Sequence, residues 1–108
     1  MIYPKIFSDV AYTFGLPSHT GHSYWWKMNE EEDSIILEFG LPGIKEDEIE
    51  IKYKSENGSI RLFVKDKAEK EVLLSRQVDP DKIEASLELG ILSIKAPILN
   101  TDRIIEIK

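Results

Sequence analysis

Two short alternating segments joined by a glycine constrain the fold of this chain more than any other stretch. In residues 83–88 and 91–96, apolar and polar side chains alternate with a period of two, which is typical of strands buried on one face. Gly90 supplies the positive φ that a tight hairpin turn requires. Pro97 has no backbone donor, so we expect the pairing to stop there. The stretch therefore predicts an antiparallel β-hairpin.

Turn signals separate several more segments of the same kind. Asn57-Gly58 is a strong hairpin signal, and Leu41-Pro42-Gly43 fits a type II turn. About seven short strands separated by such turns predict an antiparallel, immunoglobulin-like β-sandwich over residues 24–97. Besides the hairpin, the expected strands are Tyr24–Met28, Ser34–Phe39, Ile49–Lys54, Ile60–Val64 and Val72–Leu74.

Composition and net charge disfavour some classes of binding partner. The chain has 108 residues, a net charge of −6 and no cysteine. The length predicts one domain with a modest core, and the acidic balance disfavours nucleic acid as a partner. No apolar run approaches membrane-spanning length and the N-terminus lacks a signal-peptide core, so we expect no membrane span and a cytoplasmic protein.

No arrangement of side chains predicts catalysis. Hydrolytic chemistry needs a nucleophile beside a base, or two carboxylates in a cleft. The two histidines, His19 and His22, lie in a linker rich in Gly, Pro, Ser and Thr, and a metal would need further ligands. We therefore expect no enzyme, no cofactor and no metal.

Two motifs resemble the α-crystallin domain of small heat-shock proteins, the Hsp20 family. Ala85 followed by Gly90-Ile91-Leu92 is similar to the family signature, and Leu41-Pro42-Gly43 resembles its strand-ending turn. The signature residues are thus Leu41, Pro42, Gly43, Ala85, Gly90 and Leu92. Leu89 stands where the family usually has Asn. Either only Gly90 takes a positive φ, or Leu89 is strained by roughly 1–2 kcal/mol. Gly40, directly before Leu41, stands where the family usually has Asp or Glu.

The C-terminal tail, residues 98–108, carries a second resemblance. Ile105 and Ile107 resemble the Ile-x-Ile motif with which family members dock into a neighbour's sandwich. Residues i and i+2 of an extended segment point the same way, so both could enter one groove. The alternative is that residues 103–108 form the last strand of the chain's own sandwich. The resemblance suggests a groove formed by Ile49, Ile51, Tyr53, Ile83, Ala85 and Leu87, some of which would simply fill the core.

The first 23 residues form an arm of different character. Apolar spacing allows a short helix over Pro4–Phe14. The arm either packs on its own domain or contacts partners. The candidate client-binding residues are Ile2, Tyr3, Phe7, Tyr12, Phe14 and Leu16.

One departure from the family lies at residues 65–71. Bacterial and plant-type members carry an excursion there that pairs with a neighbouring subunit, and this chain has only a few charged residues. The resemblance implies an ATP-independent holdase chaperone that self-associates and binds unfolded client proteins. The alternative is a p23-like or structural adaptor that docks one specific partner.

Overall fold

The computed structural model describes residues 12–14, 24–99 and 107, and eight strands account for most of this part. Two short 3-10 turns, Glu46–Glu48 and Pro80–Lys82, precede β4 and β7. The strands are β1 Tyr12–Phe14, β2 Tyr24–Glu30, β3 Ser34–Gly40, β4 Ile49–Lys54, β5 Ser59–Val64, β6 Ala68–Leu73, β7 Glu84–Glu88 and β8 Ile91–Pro97.

The strands form two antiparallel sheets packed face to face. One sheet has five strands in the order β1-β2-β3-β8-β7, and the other has three in the order β4-β5-β6. The connection from β3 crosses to the second sheet, and the connection from β6 returns to the first. The predicted immunoglobulin-like β-sandwich is therefore confirmed.

Alternating residues of the central strands build the core. β3, β5 and β8 each bury one face against the opposite sheet, and a buried aliphatic or aromatic side chain contributes about 1.5–3 kcal/mol. Leu41 and Val78, from the connections, complete the core at its ends. The core residues of the three central strands are Ile35, Leu37, Phe39, Ile60, Leu62, Val64, Leu92, Ile94 and Ala96.

The β7–β8 turn settles the question left open at Leu89. Leu89 has φ 50° and Gly90 has φ 77°, and the flanking pair Glu88↔Ile91 closes the hairpin. Two successive residues at positive φ form the turn that matches the twist of a hairpin. Leu89 therefore adopts the strained left-handed conformation, and its side chain is fully exposed.

A tryptophan explains the glycine at position 40. Trp25 lies opposite Gly40 in the β2–β3 register, and its indole covers the glycine. A Cβ at position 40 would overlap with Nε1 of Trp25, so any other residue would displace the ring. The acidic residue usual at this position in the family would not fit beneath Trp25.

Strand β6 begins earlier than the sequence predicts. The charged run at residues 66–71, expected to be a loop before a strand at Val72–Leu74, is mostly the first part of β6. The turn from β5 is closed by the Lys67 N–H, which donates to the Val64 carbonyl at 3.0 Å. Asp66 takes φ 58° there. The strand is charged because one of its faces is solvated.

Cross-strand charges on that solvated face favour the β5–β6 pairing. The Arg61 guanidinium lies 3.1 Å from the Glu69 carboxylate, at ion-pair distance without hydrogen-bond alignment. It also lies 3.8 Å from the Glu71 carboxylate. Such surface pairs contribute at most about 1 kcal/mol each. Their effect here is to favour the observed register between β5 and β6. Hydrophobic alternation alone does not reveal β6 as a strand.

The two ends of the described region also depart from expectation. Residues 12–14 form strand β1 and not the last turn of the helix considered over Pro4–Phe14. The rest of that helix, residues 4–11, lies outside the described residues. Pairing continues beyond Pro97. The Ile98 N–H donates to the Asp33 carbonyl at 2.8 Å, and the Leu99 N–H donates to the Gln77 carbonyl at 2.8 Å. The domain thus holds the chain through Leu99.

We expect Leu89→Asn to raise the free energy of unfolding by about 1 kcal/mol, because Asn tolerates the left-handed region and Leu does not. Urea denaturation at equilibrium measures the change. Leu89→Ala is the matched control. It removes the exposed side chain but keeps the backbone penalty, so a similar gain in both variants would contradict the explanation by strain.

A second prediction concerns Glu71, whose Oε1 lies 2.8 Å from the Ser59 hydroxyl and 3.1 Å from the Asn57 amide. These donors, Ser59 first, hold the pKa of Glu71 below its ordinary value. A carboxyl group whose pKa is lower in the folded than in the unfolded protein stabilises the fold at pH values above its unfolded-state pKa, roughly 4.3. This stabilisation is lost as the pH falls through the folded-state pKa.

Glu71→Gln should therefore lower stability at pH 7, and this deficit should shrink as the pH falls below about 4.3. Thermal unfolding across this pH range provides the measurement. Glu56→Gln, an exposed position in the preceding turn, is the control and should follow the unmodified curve. A Glu71→Gln deficit that persists undiminished at pH 3 would show that the loss is not linked to ionisation.

Candidate functional site

A groove runs between the edge strands β4 and β7, where both sheets end on the same side of the sandwich. Among the described residues β4 pairs only with β5, and β7 pairs only with β8. The inward-facing residues of these two strands are covered by sheet neighbours on one side only. Such an edge presents both apolar side chains and backbone groups that can pair with an added strand.

The groove has a volume of about 340 Å³. Four of the six residues predicted for it lie together along its walls, namely Ile49, Ile51, Ala85 and Leu87. Tyr53 and Ile83 are not among its lining residues. They are half-buried and pack against the core, which is the structural role considered for part of this set.

Three further residues complete the lining. Leu92 is almost fully buried and forms part of the apolar surface, and Ser86 and Glu46 contribute polar groups. Sequence reasoning placed Leu92 only in the fold signature. Its pairing with Leu87 in the β7–β8 register could have indicated that both face the same side. Glu46 comes from the 3-10 turn before β4, and no local pattern indicates its approach to β7.

The lining of the groove carries one acidic side chain, that of Glu46. No basic residue is among the lining residues. An extended segment that combines apolar side chains with flanking cations would match this surface in both polarity and charge.

The two signature turns contact each other beside the groove. The Leu41 N–H donates to the Gly90 carbonyl at 2.7 Å, and Leu41 itself is fully buried. A Cβ on Gly90 would lie 3.4 Å from Cα of Pro42. Gly43 takes φ 77° in the turn, as a type II turn requires of its third residue. The signature residues thus hold the β7–β8 hairpin at the end of β3.

The arm residues within the described part pack on their own domain. Phe14 is only 9% exposed and lies edge-on to Phe39 at a centroid distance of 5.8 Å. It is therefore not available to a client in this conformation, because the core already covers it. Tyr12 is 51% exposed and contacts Trp26 at 5.1 Å. The other arm candidates, Ile2, Tyr3, Phe7 and Leu16, lie outside the described residues.

The free energy that holds strand β1 on the sheet is a small difference between favourable and unfavourable contributions. Burying Phe14 contributes about 1.5–3 kcal/mol, and its aromatic contacts add about 0.5–1.5 kcal/mol. Ordering three backbone residues costs roughly 1–2 kcal/mol each. These terms are of similar size, so β1 adds little net stability to the larger sheet.

In the tail, the structure describes one of the two candidate isoleucines. The Ile107 side chain is fully exposed, so it does not occupy the groove of its own chain. Ile105 lies outside the described residues.

The described part of the chain contains no group of three or more His, Cys, Asp or Glu side chains that could hold a metal ion. His19 and His22 lie outside it. No helix among the described residues is long and apolar enough to cross a membrane.

Comparison with solved structures places this two-sheet sandwich among small heat-shock proteins. Heat shock protein 16.0 from Schizosaccharomyces pombe superposes with a TM-score of 0.61 and 20% identity, over 77% of this chain and 96% of that one. A small heat-shock protein from Xylella fastidiosa gives 0.58 and 24%, over 77% and 94%. HSP18.5 from E. histolytica gives 0.61 and 16%, over 77% and 94%. At these identities the likeness concerns the fold.

The family is shown by the sequence itself. The model of the Hsp20/alpha crystallin family matches residues 27–108, which include both signature turns, the groove and the tail. The chain belongs to the Hsp20/alpha crystallin family. No curated protein matches it in sequence.

Proposed function

We propose that this protein is an ATP-independent holdase, which binds unfolding proteins through apolar surfaces and keeps them from aggregating. The observation that carries the proposal is a groove lined largely by apolar side chains, between two sheet edges that have no strand partner in the part of the chain that the structure describes, in a chain of the Hsp20 family. Extended, apolar segments are what unfolded chains expose, and such a groove accepts them by strand addition. The acidic net charge of −6 favours dispersal of the complexes formed.

The chain's own tail fits the groove in polarity and charge. Ile105 and Ile107 would enter it side by side, since residues two apart share a face of an extended segment. Arg103 and Lys108 flank them, and Glu46 in the groove lining would attract one of these cations. Burial of both isoleucines contributes roughly 3–6 kcal/mol, and ordering the tail removes about 1–2 kcal/mol per residue. A single docked tail is therefore held weakly, and several together hold by multivalency.

The reach of the tail favours docking into a second copy. Leu99 lies five residues beyond Ile94, which pairs with Ala85 of the groove, and seven beyond Leu92, or about 17 to 23 Å along an extended strand. The six residues from Leu99 to Ile105 span about 20 Å when fully extended, and they would also have to reverse direction. We therefore infer that the groove receives the tail of a neighbouring subunit, which makes the protein self-associate.

We expect the unmodified protein to form a particle larger than a dimer, and the Ile105→Ser, Ile107→Ser double variant to fall to monomers or dimers. Ala85→Asp, which places a charge inside the groove, should reduce the assembly in the same way. Native mass spectrometry provides the measurement. Leu73→Ser, an exposed apolar position on β6 away from the groove, is the control and should keep the large particle. A monomer for every variant and for the unmodified chain would exclude assembly through the tail.

We also expect the purified protein to suppress light scattering by a heated test protein at about one chain per client chain, without added nucleotide. Ala85→Asp should lower this protection several-fold, because the charge opposes entry of apolar segments. Bovine serum albumin at equal mass is the control for nonspecific protection. Protection no better than that of albumin would contradict the holdase function.

A specific adaptor is the second candidate, and the turn between β5 and β6 favours it. Three residues, 65–67, connect these strands, and so short a link has no room for a strand that pairs with another subunit. A stable monomer that protects no client but binds one protein in fixed stoichiometry would support this candidate.

A further inference from the structure

The turn between β4 and β5 is joined to the end of β6 by a small hydrogen-bond network. The Asn57 amide nitrogen donates to Glu71 Oε1 at 3.1 Å. The Ser59 hydroxyl lies 2.8 Å from the same carboxylate oxygen and 2.7 Å from Oδ1 of Asn57. Beside these side chains, the Leu74 N–H donates to the Gly58 carbonyl at 2.9 Å. Both the backbone and the side chains of the turn therefore hold the end of β6.

The Asn57-Gly58 pair that forms this turn is also chemically labile. Glycine has no Cβ, so no side chain hinders the approach of the Gly58 backbone nitrogen to the side-chain carbonyl of Asn57. The other two asparagines of the chain, Asn29 and Asn100, precede a glutamate and a threonine, whose side chains hinder the same approach. Asn57 is exposed, so water reaches it. The turn thus combines an unhindered nucleophile with an accessible amide.

We propose that Asn57 is a site of spontaneous deamidation, and that the product releases the end of β6 from the β4–β5 turn. The group that reacts is the side-chain amide, and the co-reactant is water. The modification is independent of the proposed holdase function, since it follows from the chemistry and the contacts of the turn alone.

The reaction has two steps. The Gly58 nitrogen gives up its proton and bonds to Cγ of Asn57, the bond from Cγ to Nδ2 breaks, and the amide nitrogen takes up a proton and leaves as ammonia. Water then adds to one of the two carbonyl carbons of the resulting five-membered imide, and the bond from that carbon to nitrogen breaks. Addition at Cγ gives aspartate, and addition at the main-chain carbon gives isoaspartate. One water is consumed and one ammonia is released.

Both products disturb the network that holds β6. An ionised carboxylate accepts hydrogen bonds and donates none, so an oxygen in the place of Nδ2 faces Glu71 Oε1 with no hydrogen between them. Turning the side chain over does not restore the bond, because both of its oxygens are acceptors. The Arg61 guanidinium, 3.8 Å from the Glu71 carboxylate, favours the ionised form of Glu71. In isoaspartate the backbone also runs through Cβ, which displaces the Gly58 carbonyl from the Leu74 N–H.

The native contacts oppose the first step of the reaction. The Gly58 N–H donates to the Lys54 carbonyl at 2.9 Å, and the Asn57 amide is held at β6 by Glu71. The nitrogen must leave its acceptor before it can attack, and the amide must turn away from the carboxylate. The strength of the contact between the turn and β6 therefore controls the rate of deamidation.

Mass spectrometry of tryptic digests follows the reaction in the full-length chain. Trypsin cuts after lysine and arginine, so Asn57 is recovered in the fragment 55–61. During incubation in mildly alkaline buffer, we expect Asn57 to convert several-fold faster than Asn29 and Asn100, which serve as internal controls. Conversion of Asn57 no faster than that of the other two asparagines would overturn the proposal.

Glu71→Ala should raise the rate at Asn57 several-fold, because the amide is no longer held at β6. The matched control is Glu69→Ala, since Glu69 lies on the same face of β6 and pairs with Arg61 but is not among the hydrogen-bond partners of Asn57. Far-ultraviolet circular dichroism confirms that each variant is folded. An equal acceleration in the two variants would overturn the control of this site by its contact with β6.

Asn57→Asp places one of the two products in the chain, so that its effect on the fold can be measured. We expect the melting temperature to fall by about 4 °C or more. In a Glu71→Gln background the same substitution should cost far less relative to Glu71→Gln alone, because the glutamine amide can donate to the new carboxylate. Equal losses in the two backgrounds would show that the two positions are not coupled, and the proposed release of β6 would be wrong.

Discussion

The pairing of β8 with β3 organises the rest of the sandwich. All seven residues of β8 lie opposite residues of β3, and the Leu41 N–H continues the contact by donating to the Gly90 carbonyl at the tip of the β7–β8 hairpin. These bonds hold the hairpin beside β3, and so determine where β7, the last strand of the larger sheet, ends relative to β4. The groove is the space that this placement leaves between the two strands.

The same constraint explains why the site is apolar and yet accessible. In the central strands, inward-facing residues such as Leu37 and Leu62 are fully buried, since a strand lies on each side of them. Ile49 and Ile51 on β4 and Leu87 on β7 face the same interior but remain half-exposed, because each lies in an edge strand. The groove therefore needs no special residues. It follows from ending two sheets on the same side of a shared core.

The edges of the two sheets differ in how far they are protected against pairing with a further strand. β6 has charged residues at Glu69, Lys70 and Glu71, which discourage unplanned pairing. The edge of β2 is covered in part by β1. The edges of β4 and β7 have no strand partner among the described residues, and they border the groove. Among the described residues, the edges without a strand partner thus lie beside the groove, and the charged edge of β6 lies away from it.

The sequence by itself determined the strands whose side chains alternate and the hairpin at Gly90, because period-two burial and turn chemistry are local properties of the chain, whereas the groove residues were suggested only by resemblance to a family. The tertiary structure decided the rest. Strand β1 exists because Phe14 finds the cavity between Tyr24 and Phe39, residues far along the chain. Gly40 is explained only by Trp25 above it, and the charged residues of β6 belong to a strand because their backbone pairs with β5 from Val64↔Ala68 onward. Each of these depends on a partner distant in sequence, and no local pattern carries that information.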